Sequence, residues 1–252
     1  MKLRLLCGLC LCTAAALGIW AASAGADPNA VPICATAGPA LSGTYNNLTV
    51  TGNAYVAAGT TLTVKGTLTL APNACLDAFT LGTVHVTSNV VVGKGATLGL
   101  GCTPNAIGPG PPCNGVTTND TVGGSIIANQ ALTMYIDGVT IGGALTSTGG
   151  GPGLLGEFLN FPVKDNTIRG NVSITGWHGG WFGFIRNHVG GQVVYSNNAS
   201  VQDPDAGEVV TNTIAGNLTC QGNSPAVQVG DSGGLPNTVG GHKVGQCAAP
   251  GL

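Results

Sequence analysis

The chain contains very little charge: Asp, Glu, Lys and Arg make up only 7% of its 252 residues. Because Val, Ile and Leu are abundant as well, this composition excludes an intrinsically disordered chain, which needs the opposite balance. The few basic residues are not clustered, so nucleic acid is not an expected partner. Aromatic residues are scarce at 5%, and no amphipathic pattern of helical period follows the N-terminal segment, which argues against an α-helical fold.

Long apolar runs are also missing, except for one at the N-terminus. Lys2 and Arg4 precede this run, which extends from Leu5 to about residue 22, and small residues separate it from Asp27. The order is typical of a secretory signal peptide with a small-x-small cleavage site. We predict that residues 1–26 are this signal peptide, with cleavage two residues earlier as the alternative site and an uncleaved anchor as the alternative reading. The expected location is therefore extracellular or cell-wall associated, with no membrane contact after cleavage.

Motifs for metal binding are absent from residues 27–252. No Cys-x-x-Cys or His-x-x-x-His spacing occurs there, so zinc is not expected. The calcium-binding nonapeptide G-G-x-G-x-D-x-U-x is absent too. We therefore expect neither a metal nor another cofactor.

Residues 27–252 retain six cysteines, and an even number in an exported chain predicts disulfides. Cys102 and Cys113 flank a Pro-rich loop and are expected to close it. Cys220 and Cys247 lie about one repeat apart and are expected to join neighbouring coils. Cys34 and Cys75 then form the third pair by elimination.

A nine-residue phrase recurs six times in the second half of the chain. Its copies begin at Asp120, Val139, Asn166, Asn187, Asn212 and Asn237. The third place is always Val or Ile, the fifth is always Gly, and the seventh is apolar except for Lys243 in the last copy. The starts lie 19 to 27 residues apart, which is typical of a stacked repeat with one phrase in each coil.

The parity of the phrase predicts how a coil folds. Places three, five and seven point to one face of an extended strand, so Val or Ile should face a core and Thr or Asn should face solvent. Gly at place five is expected to form a corner, through a bend or a positive φ. Residues 42–100 alternate Thr with Val or Leu in the same way. We therefore predict an all-β, single-domain parallel β-helix, or β-solenoid, of about eight or nine coils.

Departures from the phrase define the predicted boundaries. The predicted segments are an N-terminal cap at 27–47, a solenoid at 48–239 with a loop at 102–118 and an insertion at 148–165, and a C-terminal cap at 240–252. Lys243, in an inward place, fits a last coil on which nothing is stacked.

The competing fold is an antiparallel sandwich or barrel, which would require two-residue hairpin turns. Asn114-Gly115 and Asp137-Gly138 are the only strong candidates for such turns. The Gly column of the phrase therefore favours the solenoid.

Residues 212–220 read N-T-I-A-G-N-L-T-C, and residues 245–247 read G-Q-C. This part of the chain, roughly its last 90 residues, resembles secreted actinobacterial proteins that carry N-T-[VI]-x-G-N-L-x-C and a C-terminal G-Q-C. In pattern alone the array is also similar to bactofilin-type and pectate-lyase-type β-helices. The resemblance implies export and a β-helix, and it brings no activity with it.

Residues 157–208 contain most of the aromatic residues together with several charged ones. Aromatic faces beside carboxylates and amides suit a sugar chain, because its C–H faces pack on rings and its hydroxyls need polar partners. The candidate binding residues are Trp177, His178, Trp181, Phe184, Arg186, Asp203 and Asp205. The alternative is that the rings fill the solenoid and that Asp203 and Asp205 lie in a solvated turn.

Residues 230–234 read G-D-S-G-G and are similar to the nucleophile segment of chymotrypsin-class proteases. No His of the chain has the context of that family's base, and the segment lies between two copies of the phrase, so we interpret it as a turn. Asn-x-Ser/Thr sequences begin at Asn47, Asn171, Asn198 and Asn217, among other positions. They are expected to be incidental in a chain so rich in Asn and Thr.

These observations predict a secreted, non-catalytic β-solenoid with a structural or a surface- and carbohydrate-binding role. The alternative is a β-helical polysaccharide lyase or glycoside hydrolase, which would need carboxylates held together in a groove. The expected partners are an extracellular polysaccharide or another cell-surface component, and further copies of the chain through exposed end coils.

Overall fold

The computed structural model describes residues 33–36, 38–104, 113, 116–230 and 233–252. Three parallel sheets wind around one core and form a solenoid of nine coils, which confirms the predicted all-β fold. The only helix in the described ranges is one 3-10 turn, Gln246–Ala248. The predicted signal peptide, residues 1–26, lies outside the described residues.

Each full coil contributes one strand to each sheet, and the strands are numbered in chain order. Sheet 1 consists of β1 (Gly43–Tyr45), β4 (Thr61–Val64), β7 (Thr83–Val86), β10 (Thr121–Val122), β13 (Thr140–Ile141), β16 (Thr167–Ile168), β19 (His188–Val189), β22 (Thr213–Ile214) and β24 (Thr238–Val239). Sheet 2 consists of β2 (Leu48–Val50), β5 (Leu68–Leu70), β8 (Val90–Val92), β11 (Ile126–Asn129), β14 (Leu145–Thr148), β17 (Val172–Thr175), β20 (Val193–Ser196), β23 (Leu218–Gln221) and β25 (Lys243–Gly245). Sheet 3 consists of β3 (Asn53–Tyr55), β6 (Cys75–Ala78), β9 (Thr97–Leu100), β12 (Thr133–Asp137), β15 (Phe161–Lys164), β18 (Phe182–Ile185) and β21 (Glu208–Val210).

Equivalent places of the phrase stack directly on one another. The third places are Cα partners in sheet 1, in the order Val122, Ile141, Ile168, Val189, Ile214 and Val239. The seventh places pair in sheet 2, in the order Ile126, Leu145, Val172, Val193, Leu218 and Lys243. Except at the last coil these residues are buried, and each fully buried aliphatic side chain contributes about 1.5–3 kcal/mol of transfer free energy. The repeat is therefore what builds the core.

The glycines at place five form corners between sheets 1 and 2, as predicted, but not through a positive φ. Their role is close approach between coils. A Cβ at Gly191 would lie 2.2 Å from Asn171 Oδ1, and a Cβ at Gly124 would lie 2.3 Å from Asn89 Oδ1. No other residue fits where a side-chain oxygen of the preceding coil comes so near.

A ladder of buried asparagines runs along the first place of the phrase. The side-chain oxygen of Asn187 accepts the backbone N–H of Asn166 at 3.0 Å, and its Nδ2 donates to the carbonyl of Val163 at 2.9 Å. Asn212 and Asn237 repeat both bonds one coil further on. Because buried polar groups must be paired, the ladder satisfies backbone groups at the corner where sheet 3 meets sheet 1.

The residue after each sheet 3 strand, from β9 to β21, adopts a left-handed conformation. This corner position is occupied by Gly101, Gly138, Asp165, Arg186 and Thr211, with φ between 55° and 82°. Glycine adopts such angles freely, whereas other residues are strained there. The Asp137-Gly138 pair thus forms a corner between parallel strands and not a hairpin.

All three predicted disulfides are present in the structure. Cys34 pairs with Cys75, Cys102 with Cys113, and Cys220 with Cys247. The first bridge attaches the segment before β1 to sheet 3, and the third joins β23 to the C-terminal 3-10 turn. Disulfides of this number indicate an oxidising compartment.

The array is longer at both ends than the predicted range 48–239. β1 begins at Gly43 and β25 ends at Gly245. The insertion is correspondingly shorter than predicted, because 161–164 form the regular strand β15. Lys243 lies opposite Leu218 in the last strand of sheet 2, and its ammonium group donates to the carbonyl of Leu252. This contact explains why a lysine is tolerated at an inward place of the final coil.

Candidate functional site

Two of the predicted binding residues lie in the core. Trp177 and Phe184 are fully buried, and Trp177 Nε1 donates to the carbonyl of Leu132 at 3.0 Å. The ring of Trp177 packs against Phe161 with centroids 5.3 Å apart, and the ring of Phe184 packs against Tyr195 at 6.3 Å. These rings fill the solenoid, which was the alternative interpretation, and neither presents a face to a ligand.

Three further candidates, His178, Asp203 and Asp205, lie outside the named strands. The backbone N–H of His178 donates to the carbonyl of Gly150, so His178 is bonded to the segment that begins the insertion. Asp203 accepts the N–H of Asp205 at 2.9 Å, and its own N–H donates to Ser200 Oγ at 3.1 Å. The two aspartates therefore form the turn that the Asp-Pro-Asp sequence indicates.

Trp181 and Arg186, the remaining two candidates, lie at the outer face of sheet 3. The indole of Trp181 is partly exposed and lies over Gly183, where a Cβ would be 2.2 Å from Cη2 of the ring. The ammonium group of Lys164 lies 4.8 Å from the centre of this indole. Such a contact combines cation–π attraction with partial exposure of the ring.

Arg186 forms an ion pair with Asp165 at the left-handed corner. Arg186 Nε donates to Asp165 Oδ1 at 2.7 Å, and Nη2 donates to Oδ2 at 2.6 Å. Both residues have a positive φ, 58° for Asp165 and 55° for Arg186, at a corner where two other coils have glycine. Backbone strain of this kind is concentrated at functional sites, so the pair marks this corner as a candidate site.

Asp137 is a buried carboxyl beside this pair. It is 1% exposed, and its Oδ2 accepts two hydrogen bonds from Thr103, from the backbone N–H at 2.7 Å and from the hydroxyl at 2.8 Å. The same hydroxyl lies 3.4 Å from Asp165 Oδ2. Burial raises the pKa of Asp137 to about 7; the hydrogen bonds from Thr103 oppose this rise and the charge of Asp165 adds to it. Asp137 is thus a buried carboxyl that keeps its proton closer to neutral pH than an ordinary aspartate does.

Lys164 lies between acidic groups on the same face. It pairs in register with Asp137 of the preceding coil, and Gly183 pairs with Glu208 of the following coil. Burial lowers the pKa of Lys164, as does the charge of Arg186, whereas Glu208, Asp137 and Asp165 oppose this shift. We call these six residues the sheet 3 cluster: Asp137, Lys164, Asp165, Trp181, Arg186 and Glu208.

The insertion adds a second exposed ring to this face. Phe158 is 52% exposed, and a Cβ at Gly180 would lie 3.1 Å from its ring. Gly180 immediately precedes Trp181, so the ring of Phe158 lies beside the residue next to Trp181. Gln202 Nε2 donates to the carbonyl of Gly156 at 2.8 Å and holds the insertion against the 200–206 loop. Phe158 and Trp181 together form the aromatic part of the candidate site.

Sequence reasoning missed Asp137, Lys164 and Glu208. Parity along β12, β15 and β21 predicts that they face outward, but insertions of unequal length hide which strands are neighbours. A signal for the ion pair did exist: Asp165 precedes Asn166 and Arg186 precedes Asn187, so both occupy one column when the phrase is extended by one residue.

The described residues contain neither a metal-binding cluster nor a membrane-spanning helix. Among the described residues, no group of three or more His, Cys, Asp or Glu side chains could hold a metal ion. No helix among the same residues has the length and hydropathy needed to cross a lipid bilayer. The middle residues of the G-D-S-G-G segment, Asp231 and Ser232, lie outside the described residues.

Of the Asn-x-Ser/Thr sequences at Asn47, Asn171, Asn198 and Asn217, one is closed to modification in the folded chain. Asn198 is fully buried, and its side chain accepts the N–H of Trp177 and donates to the carbonyl of Ile174. The other three asparagines are exposed.

Comparisons with protein-family models, with curated proteins and with solved structures gave no match. The resemblance of residues 212–220 to secreted actinobacterial proteins therefore stays a prediction from pattern, and function has to be argued from the site itself.

Proposed function

We propose that the protein works outside the cell as a non-catalytic solenoid whose sheet 3 cluster binds an extracellular polysaccharide. The observation that carries this proposal is the partly exposed indole of Trp181, supported on Gly183 with Phe158 nearby and Lys164 over its ring. A sugar ring can pack on such an aromatic surface while its hydroxyls bond to charged groups at the edge. The ion pair of Arg186 with Asp165 supplies those groups at the adjoining corner.

Binding is favoured over catalysis because Asp137 is 1% exposed. A general acid has to reach the oxygen that it protonates, within about 2.6–3.2 Å. A buried carboxyl under its own hydrogen bonds supports the shape of the site instead.

The test is a binding panel of acidic and neutral glycans against the disulfide-bonded protein and its Trp181→Ala variant. Loss of the ring should weaken binding of a recognised glycan about two- to tenfold, since an aromatic contact contributes about 0.5–1.5 kcal/mol. Leu155→Ala is the matched control, because Leu155 is 90% exposed on the same insertion and lies outside the cluster. Equal affinities of the Trp181→Ala variant and the wild-type protein would rule out this face.

A second candidate function is glycoside hydrolysis, which one observation favours: the raised pKa of Asp137 beside the ion-paired Asp165. Glycoside hydrolysis requires two neighbouring carboxyl groups, one of which has a raised pKa and acts as the acid. Reducing-end release from the same glycans between pH 5 and 8 tests it, with Asp137→Asn expected to abolish any activity. No release at any pH would leave binding as the function.

A further inference from the structure

The outer side of sheet 1 carries a row of threonines that the sheet 3 cluster does not involve. Along the sheet the Cα partners at the second place of the coil are Thr44, Thr63, His85, Thr121, Thr140, Thr167, His188, Thr213 and Thr238. We call these residues the threonine row. Parallel pairing fixes its repeat at the strand spacing, about 4.7–4.9 Å.

The threonine row is accessible to solvent, and most of the side chains beside it are small. Five of its threonines are exposed, Thr44, Thr140, Thr167, Thr213 and Thr238. The next outward place of the phrase is Gly or Ala in five of six copies, and Arg169 is the exception. Side chains that small leave the hydroxyl and methyl groups of these exposed threonines unobstructed. The Thr121 hydroxyl differs, because it is hydrogen-bonded to Nδ1 of His85 at 2.9 Å.

The surface around the threonine row carries little charge, with the exposed cations Lys65 and Arg169 beside it and no acidic residue in its strands. None of the eight acidic residues in the described part of the chain lies in a strand of sheet 1 or sheet 2. Soluble sheets usually carry Lys or Glu on such strands, because charge keeps them from associating. The absence of that charge here means that a partner of this face should be neutral.

We propose that the threonine row binds the surface of ice. A threonine hydroxyl holds a water molecule by hydrogen bonding, and its methyl group orders the waters around it. Repeated at a fixed interval on a rigid backbone, these groups arrange water in rows whose interval is close to that of the oxygen rows in hexagonal ice. Ice is a neutral, rigid and periodic partner, and it matches each of these properties of the face.

This inference is independent of the proposed glycan binding, because it uses the strands of sheet 1 and not those of sheet 3. The rigidity it requires comes from features already described. The asparagine ladder fixes the corner beside the row, and disulfides at both ends hold the first and last coils.

The experiment measures how much disulfide-bonded protein enters a slowly growing ice front, relative to a co-dissolved reference protein without ice affinity. We expect the wild-type chain to be enriched in the ice. The double substitution Thr140→Lys with Thr167→Lys places long, hydrated cations in the middle of the row and should lower the enrichment to the level of the reference. Circular dichroism confirms that each variant keeps the β fold.

Two matched variants locate the effect. Thr146→Lys places the same cation on the outer side of sheet 2 and should leave the enrichment unchanged. Thr167→Val keeps the methyl group and the shape, so a partial loss is expected.

Exclusion of the wild-type chain from ice would overturn the proposal, as would full enrichment of the doubly substituted chain. Capture by crystalline chitin or cellulose without capture by ice would overturn it too, and would assign the row to a polysaccharide crystal. Concentration-dependent association that the row variants abolish, without ice capture, would assign it to a second copy.

Discussion

The clearest prediction concerns Asp120, which stands in the asparagine ladder where later coils have Asn. Its Oδ1 accepts the N–H of Val84 at 2.6 Å, as the ladder requires. The other oxygen of Asp120, Oδ2, corresponds to the Nδ2 atom with which Asn187 donates to the carbonyl of Val163. This oxygen is buried and has no hydrogen-bond partner among the described residues. An ionised carboxylate cannot donate there, whereas a protonated carboxyl can.

The pKa of Asp120 agrees with this geometry. Burial raises it to about 6, against smaller opposing effects of the Thr118 hydroxyl, which lies nearby outside hydrogen-bonding geometry, of Val84 and of His85. An unfolded Asp titrates near pH 3.9, so between about pH 4 and 6 the folded chain holds a proton that the unfolded chain has lost. The free energy of unfolding therefore falls as the pH rises through this window. A shift of two units corresponds to about 3 kcal/mol.

Denaturant unfolding of the wild-type protein and of Asp120→Asn at pH 4.5 and pH 8 measures this contribution. The variant restores the ladder, so its loss of stability between the two pH values should be smaller by about 2 kcal/mol, the part of the full effect that lies above pH 4.5. Some dependence should remain, because burial also raises the pKa values of Asp77 and Asp137. Identical pH profiles for both proteins would refute the reasoning.

The reverse substitution is the matched control. Asn187→Asp places a carboxyl oxygen where Nδ2 now donates to Val163 and to Asn212 Oδ1. The variant should be less stable than the wild-type protein, and more so at pH 8 than at pH 4.5.

Three further predictions follow from the coil geometry. Gly191→Ala should lower the unfolding free energy by about 1–3 kcal/mol through overpacking, whereas Gly52→Ala, with open space around it, should not; thermal melts compare the two. Replacing Cys220 and Cys247 by Ala opens a loop of 27 residues and should lower the unfolding free energy by about 3–4 kcal/mol, as measured with denaturant. The 11-residue loop of Cys102 and Cys113 is the comparison, and a larger loss from opening that shorter loop would contradict the loop-entropy estimate. Arg186→Gly relieves the strained corner, so it should leave the melting temperature nearly unchanged and still weaken glycan binding; a large loss of stability would show that the ion pair is structural.

Much of the fold follows from one periodic phrase. Its parity assigned Val122 and Ile126 to the core and placed a corner at Gly124, and the spacing of the cysteines, with elimination for the third pair, yielded the pairings. The reason for the glycine was different from the one expected, because the nearness of the Asn89 side chain is a contact between coils. A pattern within one coil carries no information about such a distance.

The candidate site was less predictable, for two physical reasons. Burial of Phe184 follows from the parity of β18, since Phe182 and Phe184 point to one side. The composition of residues 157–208 indicates only that many rings are present and not which of them face inward. The contacts among Asp137, Lys164 and Glu208 depend on which sheet 3 strands are neighbours. That order is set by loops whose lengths differ from coil to coil, so no local pattern contains it.

The asparagine ladder also limits how this protein can change in length. Each ladder bond joins one coil to the next at the same place, so a shortened chain keeps every bond only when a complete turn is removed. Excision of residues 187–211, for example, would bring Asn212 to the position that Asn187 now occupies above Asn166. Duplication and loss of whole turns are thus the permitted steps in the growth of such a chain, and smaller insertions are confined to loops such as 149–160.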